Sequence, residues 1–168
     1  DTVDAARALR RAFFRIDSAD QAYPGLSEFA SAVADLAGLS ADLTRTVGPR
    51  GEILDSASPE LEAIRRETKT THRRLTDRVN RLLVTAQQAG VVQDPIVTTR
   101  DGRYVIPVRA DRRGDVPGVV HGTSASGQTL FIEPMELVDL NNRWRELQLA
   151  EEHEIERILR RCTDLVGS

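Results

Sequence analysis

Hydrophobic residues recur with helical spacing along two long stretches of the chain, one on each side of a central region with a different period. In the stretch from Pro59 to about residue 89, every third or fourth residue is apolar or small, a spacing close to a coiled-coil seam. Its members are Leu61, Ile64, Thr68, Thr71, Leu75, Val79, Leu82 and Ala86. Ser58 is suited to cap this helix and Pro59 to open it, while Gly90 ends it.

The second stretch runs from about Met135 to residue 166 and predicts another long helix. Its seam positions are Leu137, Leu140, Trp144 and Leu147, and then Ile155, Ile158, Cys162 and Leu165. The break between the two sets is typical of a stutter in the repeat.

Residues 91–134 alternate with the period of strands. The predicted strands cover residues 96–99, 104–108, 118–121 and 129–132, with a hairpin turn at Asp101-Gly102 and a turn at residues 124–127. Pro107 places its strand at an edge or at a bulge, because proline cannot donate to the ladder. Residues 112–117 are expected to form a polar loop. The pattern therefore predicts a small four-stranded antiparallel module, here called the β-module.

Residues 1–58 are predicted to belong to a helical domain. One helix follows from the spacing of Val3, Leu9, Phe13 and Ile16. A second is expected over Leu26–Leu36, which Gly38 ends, and a loop-like section with a turn at residues 48–51 follows.

The fold class expected from these elements is mainly α with a small antiparallel β-module. Because two long helices (59–90 and 135–168) flank one module (91–134), they should run antiparallel, pack together and carry it at their far end. Net charge supports the pairing, since residues 59–89 carry +3 and residues 135–166 carry −3. The helical hairpin should be about 45 Å long.

Composition narrows the possible functions. The 168 residues carry a formal net charge of −3, so any binding to a polyanion must depend on local asymmetry of charge. Cys162 is the single cysteine, which excludes an internal disulfide and suits a reducing compartment. No apolar run approaches the roughly 20 residues that span a bilayer. The expected localisation is cytoplasmic, and the first residue, Asp1, suggests a piece of a larger protein.

A cluster of arginines in the β-module is the candidate binding site. Its members are Arg100, Arg103, Arg109, Arg112 and Arg113. Only Asp101 and Asp111 oppose them, giving a net charge of +3 over residues 100–113. Arginine forks contact phosphate readily, so the cluster predicts nucleic-acid binding through the backbone without base reading. The alternative is a merely soluble surface.

No catalytic residue, cofactor site or metal site is predicted, and the chain is expected to be non-enzymatic. Residues 122–127 are rich in glycine and serine, but no lysine follows and they join two strands, so they do not predict a phosphate loop or ATP binding. His121 lies near Ser124 in the sequence but has no evident orienting carboxylate, which favours a structural or nucleic-acid-contacting role. His72 and His153 are expected at the surface, and Cys162 and Trp144 in the core.

Several segments resemble the second bacterial MutS family. They are Arg103-Tyr-Val-Ile-Pro-Val-Arg109, Gly118-Val-Val-His121, Ser124-Ala-Ser-Gly-Gln-Thr-Leu-Phe-Ile-Glu-Pro134, Leu140-Asn-Asn-Arg143 and Glu154-Ile-Glu-Arg-Ile-Leu159, with Gly51-Glu-Ile-Leu-Asp-Ser-Ala-Ser-Pro-Glu-Leu61 upstream. They occur in the family's order and span residues 51 to about 159.

The resemblance implies a map of the chain. Residues 1–58 would belong to the core domain, the two long helices would form the lever, and the β-module would form the clamp that closes on nucleic acid. Such a parent protein would be a homodimeric ATPase that uses ATP and magnesium and usually carries a C-terminal Smr nuclease domain, all outside this chain.

Three functions remain open at this level. The first is a clamp that contacts branched or duplex DNA in the suppression of homologous recombination. The second is the same arm contacting rRNA or protein on collided ribosomes that the parent splits. The third is a purely structural coiled-coil strut.

Overall fold

A computed structural model of the chain describes residues 2–17, 37–92 and 94–167. The helices are α1 (Thr2–Asp17), α2 (Ala37–Thr46), α3 (Pro59–Gln88) and α4 (Met135–Gly167), and the strands are β1 (Thr98–Arg100), β2 (Arg103–Arg109), β3 (Gly118–Thr123) and β4 (Thr129–Pro134). Short 3₁₀ helices cover Asp55–Ala57 and Ala110–Asp115. The protein is therefore mostly helical with one four-stranded antiparallel sheet, which confirms the predicted fold class at this level.

The chain divides into two compact units, one of Asp1–Pro59 with Ile155–Ser168 and one of Glu60–Glu154. Within the first unit, Arg7 donates to the Ser40 hydroxyl at 2.8 Å and the Ser56 hydroxyl donates to the Arg45 carbonyl at 2.8 Å. The helix predicted from Val3 to Ile16 is confirmed as α1. The helix predicted over Leu26–Leu36 lies outside the described residues.

The loop-like section predicted after Gly38 is largely wrong, because α2 occupies Ala37–Thr46 and includes Gly38. Leu39 and Leu43, four residues apart, are both half-buried. A single glycine costs a helix about 1 kcal/mol, which burial of two leucines outweighs. The predicted turn at residues 48–51 is confirmed by a bond from the Gly51 amide to the Gly48 carbonyl at 3.0 Å.

In the second unit, α3 buries part of the face that the seam predicts, while Ile64 and Thr68 are only half-buried. Its buried residues are Leu61, Thr71, Leu75, Val79 and Leu83. The heptad pattern predicts that Leu82 is buried, but Leu82 is only half-buried and Leu83 is buried instead. A straight helix drifts by about 20° per heptad against a strict seven-residue repeat, so the buried position moves one residue along.

Side chains of α3 and α4 contact each other within the second unit. Arg65 lies 2.7 Å from Glu151, and Arg143 lies 2.7 Å from Glu67. A further ion pair joins Arg78 and Glu136. Two of these pairs, those of Arg65 and Arg78, join a cation of α3 to an acid of α4, as the net charges of the helices predict, whereas the Arg143–Glu67 pair has the reverse polarity.

An aromatic cluster forms beside these pairs. His72 stacks on Trp144 with ring centroids 5.4 Å apart, and its Nε2 lies 2.7 Å from the Tyr104 hydroxyl. The prediction that His72 is a surface residue is therefore wrong, whereas His153 is exposed as predicted. Trp144 packs against the core, and Cys162 is half-buried.

The sheet has the order β1-β2-β4-β3 with every neighbouring pair antiparallel. The predicted hairpin turn is confirmed, with φ of 51° at Asp101 and 73° at Gly102, as a type I′ turn requires. Although β2 lies inside the sheet, β1 pairs only with residues 103–105. Pro107 therefore has a ladder partner on the β4 side alone, which explains how proline is accommodated. The polar loop expected at residues 112–117 is largely a 3₁₀ helix.

One face of the sheet packs on the helices. The buried core cluster comprises Leu75, Val79, Leu83, Val91, Val92, Ile106, Val108, Ile132 and Leu137. The opposite face of the sheet is thereby left to polar groups and to a few apolar side chains. No helix in the described ranges is both long and apolar enough to cross a membrane.

Candidate nucleic-acid interface

Two of the five predicted arginines have no carboxylate within ion-pair distance among the described residues. Arg100 ends β1, and its guanidinium lies over the Phe131 ring, 4.0 Å from the centroid. Arg113 lies in the 3₁₀ helix after β2 and is exposed. Both cations are therefore available to a phosphate.

Arg109 and Arg112 are exposed but paired with neighbouring acids. Arg109 donates to Asp111 at 2.8 and 3.0 Å, and Arg112 donates to Asp115 at 2.5 Å. The hydrogen bond to Asp111 raises the pKa of Arg109, and the same bond lowers the pKa of Asp111. Exposed pairs of this kind are weak, so a phosphate can compete for either guanidinium.

The guanidinium of Arg103 makes hydrogen bonds within the protein. It donates to Glu133 at 2.6 Å and to the Asn142 side-chain carbonyl at 2.5 Å, and its side chain is 28% exposed. The contact of these five arginines with nucleic acid stays a prediction, and the geometry gives Arg103 a structural partner in addition.

Glu133 is the centre of a buried polar network. Its side chain is 2% exposed and accepts from Arg103, from His121 at 2.7 Å and from the Asn141 amide at 2.8 Å. Asn141 also donates to the Tyr104 carbonyl and accepts from the Tyr104 amide, both at 3.0 Å. The network therefore joins β2, β3 and β4 to α4.

The expectation that His121 has no orienting carboxylate is wrong, because Glu133 supplies one. Cross-strand pairing brings them together, because Val119 of β3 lies opposite Glu133 of β4 and His121 follows closely, where the register of the two strands shifts between Val120 and Thr123. Ser124 accepts from the Thr129 amide at 3.1 Å and contacts Ser126 at 3.3 Å, and no bond joins it to His121 in the described part of the chain. A Ser-His nucleophile is not assembled.

Sequence reasoning missed a row of cations on α3. We call it the α3 stripe: Arg66, Lys69, Arg73, Arg74 and Arg81, all exposed. These positions lie on the side of the helix opposite the buried Leu75 and Val79. None has an acidic partner within 4 Å in the ranges that the structure describes, although Glu62 and Asp77 lie on the same side.

The net charges of the two long helices predict that the cations of α3 pair with α4, but only Arg65 and Arg78 do so. A helical wheel of the sequence separates the cations that face α4 from those that face outward, and it would have predicted the stripe. At 1.5 Å per residue the stripe is about 22 Å long. That length matches about six phosphates along one strand at 3.4 Å each.

The family resemblance places ATP and magnesium in parts of the parent outside this chain, so no site for either is predicted among the described residues. They contain no group of three or more His, Cys, Asp or Glu that could hold a metal ion. The turn between β3 and β4 joins two strands, whereas a nucleotide loop opens a helix at its N-terminus.

Comparison with known proteins covers almost the whole chain. Endonuclease MutS2 of Thermomicrobium roseum is 60% identical over 167 residues, which are 99% of this chain and 21% of the relative. Endonuclease MutS2 of Pelotomaculum thermopropionicum is 44% identical over 95% of this chain, and that of Symbiobacterium thermophilum is 42% identical over 99%. The chain spans about a fifth of the length of these relatives. No family model matches it.

Proposed function

The chain belongs to the MutS2 family, and on that premise we propose that it is the non-catalytic core, lever and clamp region of a DNA-binding ATPase. Its role is to hold the phosphate backbone of duplex or branched DNA while domains outside this chain carry out the chemistry. The proposed setting is the bacterial cytoplasm, in a homodimeric parent that suppresses homologous recombination.

The proposal depends on one observation: in the second unit, some cations pair with acidic side chains, whereas others have no acidic partner among the described residues. The chain as a whole is net negative, yet the α3 stripe holds five exposed cations without acidic partners among the described residues. Arg100 and Arg113 add two more on the β-module. Unpaired cations in a row release counterions when they meet phosphates, and this release is the main source of affinity in non-specific DNA binding.

We further propose that α3 and α4 form the lever hairpin and that the β-module is the clamp at its end. Cross-helix contacts support this arrangement. Arg65 pairs with Glu151, whereas Arg78 pairs with Glu136, so residue numbers rise along one helix as they fall along the other. The buried network around Glu133 would transmit movement of α4 to the sheet.

Binding of the 168-residue chain to a DNA duplex, measured at several salt concentrations, tests the proposal. We expect a dissociation constant of about 10⁻⁴–10⁻⁶ M at physiological salt, as for non-specific binding generally. Changing Arg66, Lys69 and Arg73 together to glutamine should weaken binding. The slope of log affinity against log salt should become shallower by about 0.9 for each phosphate that no longer meets a cation, or about 2.7 in all.

A matched control removes the same charge elsewhere. Arg50, Arg145 and Arg160 are also exposed, and they lie outside both the α3 stripe and the β-module. Changing these three to glutamine should leave the slope unchanged, apart from a small effect of net charge. Equal slopes for wild type and the stripe variant would overturn the proposal and leave a structural strut. Binding to ribosomes but not to DNA would favour the ribosome-contacting alternative.

A further inference from the structure

The outer face of the sheet carries an aromatic ring that the core does not use. Along β4, Leu130 and Ile132 pack into the core, so Phe131 between them points to the opposite face. Phe131 lies directly across from Pro107 of β2 in the sheet register. It is only half-buried, which leaves part of its ring to solvent.

Arg100 lies over this ring. Its guanidinium lies 4.0 Å from the Phe131 centroid, within the range of a cation–π contact. Arg100 is exposed and has no carboxylate partner among the described residues. The guanidinium therefore covers part of the ring, while the side chain remains open to solvent.

A cavity of about 240 Å³ adjoins this pair. Its apolar side is formed by Ile96, Pro107 and Phe131, and its polar rim includes Asp94, Thr98 and Arg109. Ile96 is 65% exposed, so a large aliphatic surface is left open to solvent beside the cavity. The cavity thus combines apolar walls, which include one aromatic ring, with hydrogen-bonding groups at its edge.

We propose that this cavity and the Arg100–Phe131 pair bind an unstacked nucleobase. A base has two apolar faces and a polar edge, and proteins hold unpaired bases by stacking them on aromatic rings and guanidinium planes. The proposal rests on the phosphate-binding function above and adds the substrate class to it: nucleic acid with unpaired bases, such as the single-stranded part of a branched structure.

The apolar walls of the cavity distinguish a nucleobase from the other ligands that an arginine-rich surface could bind. A phosphate needs only charge and hydrogen-bond donors, so it makes no use of the walls formed by Ile96 and Pro107. The bases of an intact duplex already cover each other's faces and cannot enter. Stacking is tolerant of sequence because every base has a π-face, so the site selects unpaired bases without reading their identity.

The test compares two single strands of equal length and charge, one with bases and one abasic. Stacking of one base is worth about 1–3 kcal/mol, so the 168-residue chain should bind the base-bearing strand about 5-fold to 150-fold more tightly. A 2-aminopurine in the base-bearing strand should lose fluorescence on binding, because stacking quenches it. Equal affinity for the two strands would overturn the proposal.

Three variants separate stacking from charge and from folding. Phe131→Leu keeps an apolar side chain but removes the ring, and Arg100→Lys keeps the charge but removes the plane. Both should lower the preference for the base-bearing strand, and Phe131→Leu should do so while leaving duplex binding and its salt slope unchanged. Phe131→Tyr should restore the preference, which a merely structural role of Phe131 would not require.

The two proposals fail differently. Neutralising the α3 stripe should weaken the binding of duplex, base-bearing and abasic strands alike. If Phe131→Leu and Arg100→Lys retain the full preference for bases, the base site is elsewhere and this assignment is wrong. Binding of aromatic peptides in place of bases, with the preference for the base-bearing strand absent, would also overturn it and would leave the phosphate-binding function intact.

Discussion

Replacing Glu133 with alanine should destabilise the second unit by about 3 kcal/mol. The carboxylate is 2% exposed and accepts from Arg103, His121 and Asn141. Breaking a buried ion pair by removing one partner costs about 3–5 kcal/mol, because the remaining charge is left uncompensated. Arg103 keeps its bond to Asn142 and is 28% exposed, so water reaches it and the lower end of that range applies.

The assay is urea denaturation followed by tryptophan fluorescence. Trp144 is the only tryptophan and lies 5.3 Å from the Tyr104 ring, next to the network, so its emission reports unfolding of the second unit. The midpoint should fall, while the dependence of the unfolding free energy on urea stays the same. Glu133→Gln is the matched control, since it keeps the size and one acceptor oxygen. It should cost about 1–2 kcal/mol, the difference between charged and neutral hydrogen bonds.

A double-mutant cycle decides whether the pair itself matters. Glu133→Ala combined with Arg103→Ala should cost less than the sum of the two single changes, by about 0.5–3 kcal/mol. A midpoint for Glu133→Ala equal to wild type within error would refute the account of Glu133 as the centre of the network. Strict additivity in the cycle would instead show that Arg103 and Glu133 do not stabilise each other.

Two further predictions concern the core. Leu75→Ala should lower the unfolding free energy by about 2–5 kcal/mol, because Leu75 is 0% exposed. The control is Val84→Ala on the same helix, where the side chain is 53% exposed. Its unfolding free energy should stay within about 0.5 kcal/mol of wild type. Burial raises the pKa of Tyr104 above its ordinary value of 10.0. Absorbance titration of a Tyr23→Phe variant should therefore show a midpoint above that value. The contribution of Tyr104 to the free energy of unfolding is therefore complete below about pH 10 and is lost as pH rises through the raised pKa. A midpoint at 10.0 or below would contradict the burial of Tyr104.

The sequence alone located most of the secondary structure. Short-range signals predicted the first residues of two helices, Pro59 and Met135. They also predicted the Asp101-Gly102 turn and the four strands. Such signals succeed because caps, turns and periodicity act between residues a few positions apart. The same reasoning failed after Gly38, where it predicted a loop and α2 forms, because the helix-weakening effect of one glycine is smaller than the gain from burying the leucines that follow it.

Pairing between distant residues was decided only by the tertiary structure. His121 and Glu133 meet because β3 pairs with β4 and the register shifts between Val120 and Thr123, and the periodicity of either strand contains neither the pairing nor the shift. Similarly, all seven cations of α3 are equivalent in the sequence, yet α4 neutralises Arg65 and Arg78 and leaves the α3 stripe open to solvent. Phe131 and Arg100 lie on different strands, and β2 between them sets their separation. Local spacing therefore determined which faces are apolar, whereas the packing of those faces determined which charges and rings remain available to bind.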